Sequence, residues 1–207
     1  MKWLKSNWID LAINYADDST IESYWETIKS HYTSKNRYYH NLLHLKNMFV
    51  QLESFKTEIE DMDSFKFAIW YHDIIYKATN KDNEEQSADF SKKALKALKF
   101  DDLKTKKVQN LIISTKKHEL ILTENNDNAY LLDLDLSILG SDWDTYKVYI
   151  QNIRKEYKIY PNILYKPGRK KVLKHFLSRD SLFFTKCFIT KFEKQARNNL
   201  TKEIKML

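Results

Sequence analysis

The sequence predicts an all-α protein folded as a single-domain helical bundle spanning residues 1–207. Three observations carry that expectation. Only two glycines and two prolines occur in 207 residues, whereas strand-rich folds call on glycine for their tight turns. Helix-start signals recur along the chain, as Ser19-Thr20-Ile21-Glu22, Asp63, Asp101 and Ser141 with Asp144. Apolar residues also return at helical spacing, with 43% hydrophobic and 14% aromatic content to supply a core.

Taken in order, helices are expected over 3–15, 20–33, 38–58, 64–78, 84–98, 102–117, 128–139, 142–159, 169–179 and 182–204. The second begins at the Ser19 capping box, the fourth behind Asp63 and the sixth behind Asp101. Gly140 closes the seventh as a C-cap. Tyr160-Pro161 and Lys166-Pro167-Gly168 form the one structured break, between the eighth and ninth. The fourth helix is the closest decision, because Phe, Ile, Trp and Tyr also favour strands. Helical spacing decides it: Phe65, Ala68, Ile69, His72, Ile75 and Tyr76 share one face, so His72 points inward.

Composition narrows the function classes. No apolar run reaches the ~20 residues of a membrane span, and MKWLKSNWID lacks the apolar core of a secretory signal. Cytoplasmic residence and no membrane partner are therefore expected. Cys187 is the only cysteine, which excludes an intrachain disulfide and a cysteine-rich zinc site. The net charge of +7 is uneven: residues 1–140 hold 19 Lys/Arg against 22 Asp/Glu, and residues 141–207 hold 16 against 6. These lysines are scattered over several helices rather than aligned in one stripe, so nucleic acid is not the expected partner.

The stretch FAIWYHDIIY, residues 67–76, embeds His72 and Asp73 in large apolar groups. An unpaired carboxylate in such a setting costs roughly several kcal/mol unless it is paired, protonated or bound to a metal. The metal reading requires further ligands in similarly apolar helices. RYYHNLLHL, 37–45, supplies them by placing Arg37, His40 and His44 on one stripe if it is helical. LLDLDL, 131–136, sets Asp133 and Asp135 within a leucine run. These two lie ~200° apart around a helix, so one should bind and the other cap or bridge.

The ordered series of His40, His72-Asp73 and a later Asp resembles the HD-domain superfamily of metal-dependent phosphohydrolases. RYYHNLLHL, AIWYHDIIY, NEEQSA (83–88), TKKH (115–118), LLDLDLSILG, IRKEY (153–157), GRKKVLKHFLSR (168–179) and EKQARNNL (193–200) are similar to a bacterial subgroup of predicted HD phosphohydrolases. The resemblance implies an HD-type bundle, with the metal-site core at about residues 35–140 and basic C-terminal helices at 141–207 packed on it. It implies His40, His72, Asp73 and Asp135 as ligands, Asp135 being preferred over Asp133 for its two-residue step into an apolar helix.

His44 and Asp133 then support the ligands or hold a second cation, and His118 and the Asn83-Glu84-Glu85 cluster are candidates for the same roles. Asp73, His118 and Glu84 are the candidates for catalysis, and Arg37 and Lys116 for binding phosphate; Lys117, Arg154 and Arg169 are further cations. A mixed nitrogen and oxygen ligand set suits Mn, Fe, Mg, Co, Ni or Zn without distinguishing them. The implied reaction is attack of metal-activated water on the phosphorus of a small phosphate ester, a nucleotide foremost. Tyr39, Trp70 and Tyr71 flank the ligands, as packing or as a platform for a base. The alternative is a regulatory protein that holds metal and nucleotide without turnover.

Overall fold

A computed structural model describes all 207 residues. The all-α expectation is met: ten α-helices and two short 3-10 turns, without a strand. The chain packs into two compact units, Met1–Leu131 and Leu132–Leu207, the division falling a few residues before the change in charge.

The first unit holds α1 (Lys2–Ala12), α2 (Asp18–Tyr32), α3 (Leu42–Leu52), α4 (Met62–Tyr71), α5 (Asn83–Ala97), α6 (Asp102–Ser114) and the start of α7 (Asp127–Leu136). At its centre lies α4, against α3, α5 and α6. Phe65, Phe67, Ala68, Ile69, Trp70 and Tyr71 are all buried, as in a helix surrounded on every side. Trp8 and Trp25 meet Trp70 edge-on at 5.8 and 6.4 Å, and the Trp8 indole N–H donates to the Ile21 carbonyl at 3.0 Å. Burial of each such ring stabilises by roughly 2–3 kcal/mol. Trp70 and Tyr71 are 0% exposed, so both are core packing and no platform for a base.

Five helices, α2, α3, α4, α6 and the later α8, start at an aspartate or asparagine whose side chain accepts from the first turn. Asp101 caps α6 as expected, accepting from the Lys104 N–H. The α2 cap is Asp17, not Ser19; its carboxylate accepts from the Thr20 N–H and the Ser19 hydroxyl. Asp61 caps α4 in place of Asp63, which instead accepts from the Tyr15 hydroxyl. Asn41 has an extended backbone and accepts from the Leu43 N–H at 2.8 Å, so α3 starts at Leu42. Arg37 through Asn41 is therefore not helical, and the expected stripe of Arg37, His40 and His44 does not exist. Likewise α4 stops at Tyr71, with His72 as its C-cap, rather than continuing to residue 78.

The second unit contains the rest of α7, a 3-10 turn (Ser137–Gly140), α8 (Trp143–Glu156), α9 (Asn162–Leu177) and α10 (Lys186–Met206). Gly140 ends the 3-10 turn without a positive φ. Its role is close approach: a Cβ there would lie 2.5 Å from the Phe192 Cβ and 2.9 Å from the Phe192 carbonyl oxygen. Asp142 caps α8, one residue after the expected Ser141. The expected break at Lys166-Pro167-Gly168 is absent, because α9 runs through it. Pro167 deprives the Ile163 carbonyl of a helical donor where Ile163 is 80% exposed, so water can take the donor's place. Inside the unit, Arg169 pairs with Glu203 at 2.7 Å, and Glu203 also accepts from the Tyr146 hydroxyl at 2.5 Å. Arg154 bonds the Tyr157 and Tyr160 carbonyls. Both arginines are thus engaged within the unit.

Candidate metal centre

Three donor atoms converge where α3 faces the end of α4. His44, in the first turn of α3, presents Nε2 at 3.1 Å from the Nε2 of His72. Asp73 Oδ2 lies 3.1 Å from that His72 nitrogen and 3.9 Å from the His44 nitrogen. His44 and His72 are 4% and 1% exposed, and the Asp73 side chain 14%. Ligands ~2.1 Å from one ion stand ~3.0 Å apart at a right angle and ~3.4 Å apart at the tetrahedral angle, which brackets the two 3.1 Å edges. The 3.9 Å edge asks for a wider angle, ~136°, as in a distorted site.

The tautomer of His72 is fixed by chemistry. Its Nδ1 lies 2.9 Å from the Ile69 carbonyl, which can only accept, so Nδ1 carries the proton. Nε2 is then the nitrogen turned toward the His44 nitrogen and the Asp73 carboxylate. A single shared proton serves one of those two contacts; a cation serves both. Anchoring one ring nitrogen on a backbone carbonyl is also how metal-binding histidines are held.

The sequence expectations distribute as follows. His72 and Asp73 are brought together as expected. The histidine that joins them is His44, expected in a supporting role, because the cap at Asn41 puts His44 rather than His40 on the helix. His40 precedes α3; its ring stacks on Tyr76 at 4.1 Å and lies 6.2 Å from the His44 ring. Tyr39 is 5.0 Å from the His44 ring. Asp135 is half-buried on α7 in the second unit, beside Tyr149. Asp133, also in that unit, is committed to the start of α10: it accepts from the N–H groups of Phe184 and Thr185 at 2.7 and 2.8 Å and from the Thr185 hydroxyl at 2.6 Å. Burial pushes its carboxyl up to about 6, against these three bonds.

Arg37, expected to meet phosphate, is 9% exposed and turned onto the backbone. It donates to the carbonyls of His40, Asp73 and Ile74 at 3.1, 2.6 and 2.7 Å, with its guanidinium over the Tyr32 ring. It therefore ties the segment before α3 to the one after α4. Glu84 sits half-buried in the first turn of α5. Burial, followed by the negative charges of Asp73 and Glu85, holds its carboxyl above the usual range, with its own backbone N–H and Lys116 opposing. Lys116 pairs with Glu85, which raises its pKa. His118 lies beyond the α6 C-cap with a φ of 50°, outside the three-residue group.

Asn83, expected with Glu84 and Glu85 in a supporting or second-cation role, and Ser87, which was not anticipated, both position backbone. The Asn83 side chain accepts from the Lys77 N–H and donates to the Lys77 carbonyl, both at 3.0 Å. One turn on, the Ser87 hydroxyl oxygen accepts from the Ile75 N–H at 3.1 Å, and the hydroxyl donates to the Ile75 carbonyl at 3.2 Å. These side chains pair with the segment after the His-Asp doublet as a neighbouring strand would. Their sequence signal is the i, i+4 placement of two small polar residues on the buried face of α5.

Comparison with family models, with curated proteins and with solved structures found no match. No helix is long and apolar enough to cross a membrane.

Proposed function

We propose that this chain is a metal-dependent phosphohydrolase resembling the HD superfamily and acting on a small phosphate ester, a nucleotide foremost. The observation that carries the reading is the convergence of His44 Nε2, His72 Nε2 and Asp73 Oδ2, with the Nδ1 proton of His72 committed to Ile69. A divalent cation held there would supply Lewis acidity toward a phosphoryl oxygen and an acidified water. His72 and His44 would supply imidazole nitrogens to such an ion, and Asp73 a carboxylate oxygen. Glu84, whose carboxyl burial and then the Asp73 charge hold above the usual range, is the candidate to hand a proton to the departing oxygen. Lys116, reaching Glu85 on the same helix turn, places a positive charge near the phosphate's approach. Arg37 bonds the Asp73 carbonyl, and Ser87 and Asn83 hold Ile75 and Lys77 in the segment that follows the doublet.

The test is phosphate release from a panel of phosphomonoesters and nucleotides by the purified chain, supplied in turn with Mn, Fe, Mg, Co, Ni and Zn. His72→Ala and Asp73→Ala should abolish turnover while far-ultraviolet dichroism stays helical. Equal turnover in wild type and both variants would overturn the assignment. Metal binding without turnover on any ester would replace the hydrolase with the regulatory binding protein. His40→Ala and Asp135→Ala in the same assay test the wider ligand set that the resemblance implies.

A further inference from the structure

The second unit exposes a surface unrelated to the histidine cluster. Helix α9 buries only Tyr165 and Leu173 and turns Arg169 toward Glu203. At ~100° per residue the opposite face carries Ile163, Leu164, Pro167, Lys171 and Lys174. Ile163 is 80% exposed, Leu164 61%, and Ile159, in the preceding turn, 67%. Exposure that high belongs to a convex tip, whose side chains stand clear of their neighbours, and not to a groove.

Charge surrounds this tip. Between Arg154 and Arg179 the chain has nine Lys/Arg and one acid, Glu156, which is only 6% exposed. Arg154 and Arg169 are occupied internally, whereas Lys166, Lys171 and Lys174 are exposed on α9 and Lys170 is half-exposed beside them. Apolar side chains projecting from a basic collar are the pattern of a peripheral membrane contact.

We propose that this face docks on an anionic phospholipid surface, with Ile159, Ile163 and Leu164 entering the headgroup–acyl boundary and the α9 lysines against the phosphates. A second copy of the chain would bring two positive faces together. Nucleic acid would engage the lysines and leave the aliphatic tip in water. A fluid bilayer, unlike a folded partner without a matching pocket, accepts a convex apolar tip by deforming around it. The contact is peripheral, since no helix of the chain can span a bilayer.

The experiment is co-sedimentation of the full chain with vesicles of phosphatidylcholine alone or mixed with phosphatidylglycerol. Binding should require the anionic lipid and weaken as salt is raised. The double variant Ile163→Glu, Leu164→Glu should abolish it, and Lys171→Glu, Lys174→Glu should lower it about tenfold or more, with helicity unchanged in both. These positions are exposed, so neither variant removes a core contact. No sedimentation with anionic vesicles at low salt, or equal binding by wild type and both variants, would overturn the proposal. Binding to a single-stranded oligonucleotide but not to vesicles would do so too, by assigning the face to nucleic acid.

Discussion

The imidazole nitrogens of His44 and His72 face each other across 3.1 Å, although one residue lies on α3 and the other caps α4, 28 positions apart. Asp73 closes the triangle from the residue next to His72. What the site does depends on how firmly the segments carrying these groups are held.

Asn83 holds one of them. Asn83→Ala leaves the Lys77 N–H and carbonyl without their partner and should cost about 1–3 kcal/mol in denaturant unfolding. The same variant should weaken divalent-metal binding, because the chain after the doublet loses its register. Unchanged metal affinity would confine Asn83 to stability alone.

Arg37 holds the other side. Arg37→Ala should destabilise by about 3 kcal/mol, since three carbonyls lose a charged donor at once. Arg37→Lys should recover little, as one ammonium cannot reproduce the forked geometry. Urea midpoints of the three proteins decide it, and a lysine variant as stable as wild type would refute the clamp.

Asp133 makes stability depend on pH. Burial, against three hydrogen bonds, lifts its folded pKa to about 6, above the ordinary carboxyl value of about 4. Between those values the folded state keeps a proton that the unfolded chain has released, so stability falls as pH rises through the window. Asp133→Asn does not titrate. From about pH 4 to about pH 7, wild type should lose about 2 kcal/mol relative to that variant, and a constant difference would contradict the assignment.

Gly140 has no room for a side chain. Gly140→Ala should cost about 1–3 kcal/mol, because its Cβ would meet both the Cβ and the carbonyl oxygen of Phe192. Phe192→Ala in the same chain should relieve little of this, since the backbone contact persists. An unchanged thermal midpoint for Gly140→Ala would refute it.

The helices were legible because their causes are local: scarce glycine and proline, apolar residues at helical spacing, and an acid or amide near many of the starts. The His72-Asp73 doublet was legible because ionisable groups in an apolar run need a partner. Capping decided what the pattern alone misjudged. Asn41 caps α3 and leaves His40 outside it, so only His44 of the expected stripe lies on the helix. Pro167 read as a break, yet a proline at an exposed helix turn forfeits only a bond that water can replace. The i, i+4 spacing of Asn83 and Ser87 marks a shared buried face of α5, but the irregular segment they pair with, at Ile75 and Lys77, has no periodicity of its own to announce it.

The most direct measurement of the central claim is calorimetric titration of the chelator-stripped chain with divalent cations, in wild type and in His44→Ala, His72→Ala and Asp73→Ala. The account predicts saturable binding by wild type and a loss of about 100-fold or more in each variant, at least the upper end of what loss of a supporting residue costs. No binding of any of Mn, Fe, Mg, Co, Ni or Zn by wild type, or variants that bind as wild type does, would contradict it.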